Sequence, residues 1–335
     1  MGKCVAVLHY AWLVTVALLA LCTGPQSAAA QPQSDASLID EVHDYTYDRL
    51  WRAAMKFDHL FGSEEHEAVY RKLYGSIAPA LLWDEFRGFQ PKIRFQLNAP
   101  LPFLDERLHA VVGRFNPDEF VTERSQSSGS IARQFGSIRD DDTIFGLAYR
   151  SARVDAGEFG LGTGVRVATP LDPYLKGDYT IRRGTPRSWL LTYKQTLFWQ
   201  QSEHVGTTSR VDFDHFLSRT ALLTLTASGT LSQKSAGLRG FAEATVLRSL
   251  GPRRSIAANL SIDWQSRAPV ALHEFGIAGA YRQSAYRDWL IFELRSSVTW
   301  PKETIGAART RSYGVGIGVE MLIGTTQFLA RPVSF

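Results

Sequence analysis

Residues 255–265 read Ser-Ile-Ala-Ala-Asn-Leu-Ser-Ile-Asp-Trp-Gln, and the alternation within them decides the architecture. Ile256, Ala258, Leu260, Ile262 and Trp264 fall on one face of a strand. Ser255, Asn259, Ser261, Asp263 and Gln265 fall on the other. Side chains along a strand repeat every two residues, so this segment is a ribbon with one oily face and one wet face. One such ribbon is ordinary in any half-buried antiparallel sheet. Here the pattern recurs from residue 75 to residue 323, and the oily faces carry Trp, Tyr and Phe towards their ends.

The neighbouring ribbons repeat the design. Pro91, Ile93, Phe95 and Leu97 alternate with Lys92, Arg94, Gln96 and Asn98. Phe159, Leu161, Val165 and Val167 alternate with three glycines and Arg166. Leu175, Tyr179 and Ile181 oppose Lys176, Asp178, Thr180 and Arg182. Trp189, Leu191, Tyr193, Leu197 and Trp199 place an aromatic ring at each end of one face. Leu290, Phe292, Leu294, Val298 and Trp300 oppose Glu293, Arg295, Ser297 and Thr299. Tyr313, Val315, Ile317 and Val319 oppose Gly314, Gly316, Gly318 and Glu320.

The pattern predicts fourteen strands, near 76–84, 89–99, 106–115, 142–152, 157–169, 172–183, 188–202, 204–216, 219–232, 237–248, 253–266, 272–282, 287–300 and 310–323. Twelve or sixteen fit the same signal. If the first runs outward, the inner connections include Gly184-Thr185-Pro186, Leu217-Ser218-Arg219 and Leu250-Gly251-Pro252, which carry turn residues. The outer connections include 116–141 and 301–309. Short turns on one side, longer loops on the other and an even strand count are features of barrels that cross the outer membrane.

A soluble β-sandwich alternates too. Its strands are shorter, usually five or six residues. In hydrocarbon every backbone polar group needs a partner inside the protein, so a sheet there must close on itself. The fold class expected is therefore an all-β, antiparallel transmembrane β-barrel with one short N-terminal helix.

Residues 1–30 read as a signal peptide: Lys3, an apolar run around Trp12–Leu21, then Ala28-Ala29-Ala30. Both cysteines, Cys4 and Cys22, fall within it, so the expected mature chain has no thiol chemistry. Residues 31–71 form a leader and an amphipathic helix over 38–61, with Leu50, Ala54, Phe57 and Phe61 at helical spacing and Gly62 after its end. On the periplasmic side it could lie at the barrel base or the interface, or plug the lumen. The barrel is expected to span 72–324, with 325–335 as a C-terminal tail.

The formal net charge of +4 gives no reason to expect a nucleic-acid partner. Of the 37 basic residues 29 are Arg, which suits phosphate and carboxylate recognition. No phosphate-cradling loop, zinc-protease helix or nucleophile elbow occurs. His59 and His66 stand seven apart with no third ligand in sight, and no metal or other cofactor is implied. His109, His215 and His273 lie on strands, and Asp140-Asp141-Asp142 with His204 form the most enzyme-like group, without a recognisable motif.

Parity points Lys92, Arg94, Arg166, Lys176, Asp178, Arg182, Lys194, Arg210, Asp212, Asp214, Asp263, Glu293 and Arg295 inward, with Glu243 and Glu274. The earlier strands lean basic and the later ones acidic, which would set a field across a lumen. Trp189, Tyr193, Trp199, Trp264, Phe292, Trp300 and Tyr313 are the expected lipid-facing girdle. The function read from this is a porin-like channel for small polar or charged solutes. The alternatives are a non-conducting structural or interaction barrel, plugged by the helix or by loop 116–141, and, further off, a membrane-embedded hydrolase. The partners expected are outer-membrane lipid and the barrel-assembly machinery, with the oligomeric state left open.

Leu81-Leu82-Trp83-Asp84-Glu85, Pro91-Lys92-Ile93-Arg94-Phe95 and the closing Val319-Glu320-Met321-Leu322-Ile323-Gly324 resemble segments of uncharacterised Gram-negative outer-membrane barrel proteins with an aromatic-rich helix ahead of the barrel. The resemblance covers residues 40–324 and implies a location but no activity. Barrels of this kind often close on an aromatic residue. Here Phe335 follows Pro332, an unsuitable strand residue, so the last strand is expected to end at Ile323.

Overall fold

A computed structural model describes residues 40, 43–47, 52, 73–101, 107–115, 142–151, 157–185 and 188–324. The expected signal peptide, the tail, loop 116–141, His59, His66 and most of helix 38–61 lie outside the described residues.

Fourteen strands follow one another: β1 (Tyr74–Asp84), β2 (Gly88–Pro100), β3 (Leu108–Phe115), β4 (Asp142–Arg150), β5 (Gly157–Val167), β6 (Asp172–Thr185), β7 (Trp189–Gln200), β8 (His204–Ser218), β9 (Ala221–Ser232), β10 (Arg239–Gly251), β11 (Arg254–Gln265), β12 (Leu272–Ser284), β13 (Leu290–Thr299) and β14 (Ser312–Gly324). Each pairs antiparallel with its neighbours in sequence, and β1 pairs with β14 to shut the ring. The closing register runs from Tyr74 opposite Gly324 to Asp84 opposite Gly314. No edge strand remains, which is the condition for a sheet in hydrocarbon. A two-sheet sandwich is thereby excluded.

Burial is reversed relative to a soluble protein. Outward positions are apolar and open: Phe89 is 65% exposed and Ile317 56%. Inward positions are polar and covered: Asp178 is 3% exposed and Glu293 4%. A water-soluble fold would leave the first pair to a core and the second to solvent.

The tight connections have local causes. In the β1–β2 turn, Asp84 Oδ1 accepts from the backbone N–H groups of Phe86 (2.9 Å) and Arg87 (2.6 Å), an Asx turn. Gly88 leaves that turn at φ 76°, which a side chain would resist. At the opposite end, β8 passes to β9 and β10 to β11 through two residues each, with small bulges beside the turns.

Glycines set how close neighbouring side chains lie to the wall. On the inner face of β5 a Cβ at Gly160 would stand 2.6 Å from Asp178 Oδ1, and one at Gly162 would stand 3.1 Å from Lys176 Cε. The β6 side chains therefore lie sideways over a glycine floor instead of projecting towards the barrel axis. On the outer face Trp264 covers Gly240 in the same way.

His43 and Tyr47, both helical, meet the barrel at the end that carries Tyr74 and Gly324. His43 stacks on Trp289 (4.2 Å between ring centres, 16° between planes) and its Nε2 lies 3.0 Å from the Leu322 carbonyl. Tyr47, one turn on, packs against the cluster of Leu73, Ala99 and Ile323. Register puts Ala99 and Ile323 on the outward face of β2 and β14. His43 and Tyr47 thus meet the outside of the wall where the ring closes, at the barrel base, one of the positions left open for this helix.

Candidate functional site

The chemistry of the barrel is on its inner wall. Lys92 and Arg94 stand on β2, Arg166 on β5, Lys176, Asp178 and Arg182 on β6, and Lys194 on β7. Arg210, Asp212 and Asp214 stand on β8, Asp263 on β11, and Glu293 and Arg295 on β13. All share the face opposite the exposed apolar residues.

Their charges are met locally. Arg166 reaches Asp172 at 2.7 Å, and that carboxylate also accepts from Gln200 Nε2 (2.6 Å), Ser202 Oγ (2.7 Å) and Ser202 N (3.0 Å). Asp178 lies 3.4 Å from Arg150 and 3.5 Å from Lys194. Glu158 joins Arg182 at 3.0 Å. Arg210 holds Asp212 through both Nε (2.8 Å) and Nη2 (2.7 Å), the two-pronged arrangement a guanidinium favours. Asp212 and Asp214 in turn accept from Thr226 and Thr224 on β9.

Across the ring Arg282 binds Glu320 (2.5 Å) and Glu293 (3.3 Å), tying β12, β13 and β14 together. Arg295 stands within electrostatic reach of Glu293, Glu243, Arg94 and Glu274, and Glu243 within that of Arg210. A charged belt thus joins β2, β13, β12, β10 and β8. Nearer the far rim, Arg239 grips Glu203 through two nitrogens (3.0 and 2.8 Å), and Arg87 meets Glu274 at 2.5 Å.

Among the described residues the earlier strands still carry more inward cations than carboxylates, and the later strands the reverse. Glu158, Asp172 and Asp178 pair with cations on the basic side, while Arg239 and Arg282 answer carboxylates on the acidic one. Glu158, Arg150, Asp172, Arg282 and Glu203 were not among the expected site residues. Parity alone would have found the first four, and Glu203 sits in a turn where parity has no meaning.

Among the described residues the histidines of β8 and β12 have separate surroundings. His215 faces outward and stacks on Phe213 (6.2 Å), next to Trp189. His273 lies 3.7 Å from Asp263, and His204 occupies a tight turn at φ 59°. Asp140 and Asp141 lie outside the described residues.

Among the expected girdle, Trp199 (β7), Phe292 (β13) and Tyr313 (β14) face outward and open, and Trp189 and Tyr193 share the β7 face of Trp199. Trp300 stacks on Phe275 (5.1 Å) just past the end of β13, and Trp264 lies over Gly240. A closed, even-numbered antiparallel ring with an apolar exterior and a charged interior defines a bacterial outer-membrane β-barrel.

No family description and no curated protein matches the chain. Solved structures of outer-membrane proteins align with it. OprB of Pseudomonas putida aligns at 8% identity and a TM-score of 0.48, covering 76% of this chain and 94% of its own. A loop-deletion mutant of OmpT, an outer membrane protein of Vibrio cholerae, aligns at 11% identity and 0.45, covering 75% and 98%. The KdgM porin in complex with disordered oligogalacturonate aligns at 9% and 0.35, covering 73% and 98%.

Proposed function

We propose that this barrel is a passive channel for small polar or charged solutes. The observation that carries the reading is a charged inner face in a wide ring, with Arg166, Arg182 and Lys194 paired to the strand beside them. With strands about 4.8 Å apart and tilted by roughly 40°, fourteen of them enclose a backbone radius of about 14 Å. Lys176 and Asp178 lie against the β5 glycines, which draws these two side chains towards the wall. The aromatic residues Trp189, Tyr193, Trp199, Trp264, Phe292, Trp300 and Tyr313 then serve as its interfacial girdle.

Planar-bilayer recordings of the refolded full chain test this. Discrete conductance steps are expected, and silent bilayers from demonstrably folded protein would refute it. A second reading, a non-conducting interaction barrel, draws on the depth at which Asp178, Arg210 and Glu293 are covered. It predicts that silence. The aromatic-bearing helix that covers the closing strands supports grouping the chain with barrels that carry such a helix ahead of the first strand.

A further inference from the structure

The outer wall of β7 and β8 is polar where it should be most apolar. Gln195 shares the outward face of β7 with Trp189, Tyr193, Leu197 and Trp199, and β8 sets Ser209 directly opposite it and Thr207 opposite Leu197. With a rise of about 3.3 Å per residue and a tilt near 40°, Gln195 lies about 10 Å from the level of Trp199 and about 15 Å from that of Trp189. That is acyl-chain depth, where no water completes a hydrogen bond and polar side chains are costly.

These groups satisfy one another only in part. Tyr193 Oη (2.7 Å) and Ser209 Oγ (2.6 Å) both donate to Gln195 Oε1. Gln195 Nε2 donates to Thr207 Oγ1 (2.6 Å), which donates to the Thr196 carbonyl (3.1 Å). A carboxamide has two N–H donors and a hydroxyl oxygen accepts as well as donates. One amide proton of Gln195 is left over, together with the acceptor capacity of Ser209 and Tyr193. The surface is thus complementary to itself. Its relief is also paired: Leu197 stands 63% exposed opposite Gly177, where an added Cβ would meet nothing nearer than 3.5 Å.

The geometry points to a two-fold interface in the membrane between two copies of this chain, centred on Gln195 and Ser209, with Leu197 of each copy packed beside Gly177 of the other. Such an interface uses one patch twice, so a spare donor on one copy meets a spare acceptor on its partner. In lipid there is no hydrophobic drive to bring barrels together, and polar side chains with close backbone approach supply the attraction instead. The inference rests on the barrel lying in a membrane and not on its conducting.

Cross-linking and sedimentation test it together. With Cys4 and Cys22 replaced by Ser, oxidation in membranes should join Ser209→Cys into a dimer and leave Ile93→Cys, on the outward face of β2, monomeric. In lipid nanodiscs Gln195→Leu should weaken dimerisation at least tenfold. Leu belongs on a lipid face, so this variant folds, and a heat-modifiable gel shift verifies that. Equal cross-linking at both cysteines, cross-linking only to a different protein, or a wild-type chain that stays monomeric at every concentration would overturn the interface. Intact dimers with silent bilayers would overturn the channel alone.

Discussion

Replacing Arg282 with Met should cost the barrel about 3–5 kcal/mol, the range for removing one partner of a buried ion pair. The guanidinium lies 2.5 Å from Glu320 and 3.3 Å from Glu293, and the two acidic residues are 9% and 4% exposed. Met keeps the apolar stem, so little of the loss comes from an empty space. What remains is a pair of covered carboxylates with no cation between them, on adjacent strands that Arg282 had joined. A loss of that size lowers the folded-to-unfolded ratio by a factor of roughly a hundred to several thousand. Urea unfolding of protein inserted in lipid vesicles, followed by tryptophan fluorescence, reads it as a fall in midpoint at constant slope. Combining Arg282→Met with Glu293→Gln and Glu320→Gln removes the whole network and should recover most of the loss. A single-variant cost below about 1 kcal/mol, the level of a solvent-screened pair, would show that water fills this part of the lumen and would refute the reasoning.

Three further outcomes are expected. Gly162→Val should lift Lys176 from the β5 floor and reduce single-channel conductance, since the 3.1 Å approach leaves no space for a branched side chain. Arg94→Glu and Arg166→Glu should move the reversal potential in a salt gradient towards cation preference, Arg166→Glu also setting a second carboxylate against Asp172. Deleting residues 38–61 should leave conductance per barrel unchanged, because His43 and Tyr47 meet the outside of the wall. The same deletion should lower the thermal midpoint by about 2–4 °C for each kcal/mol of lost packing over Leu73, Ala99 and Ile323, measured by heat-modifiable mobility.

The strands were legible because alternation is a property of the backbone. A residue is inside or outside by parity, and that survives ignorance of everything else. β11, expected at 253–266, runs Arg254–Gln265, and β14, expected to end at Ile323, ends at Gly324. Partners were less legible. Arg282 and Glu320 are 38 positions apart and meet because two hairpin registers set Arg282 opposite Glu293 and Glu293 opposite Gly318, two residues from Glu320. The helix was ambiguous for another reason: an apolar stripe suits lipid, a wall or a lumen equally well. Gln195 shows a third limit. It interrupts an otherwise apolar face by a single residue, and hydropathy averaged along a strand treats one interruption as noise.

The clasp at the closing seam carries information about time. Its N-terminal half, His43 and Tyr47, precedes every strand, while Leu322 and Ile323 come from the end of the last strand, and the His43 contact spans 279 positions. Local pairs form early in folding and distant ones late. A half-inserted ring offers Tyr47 only Leu73 and Ala99 from its first strands, and lacks the Leu322 carbonyl and Ile323. The full set of contacts therefore forms only once the last strand has found the first.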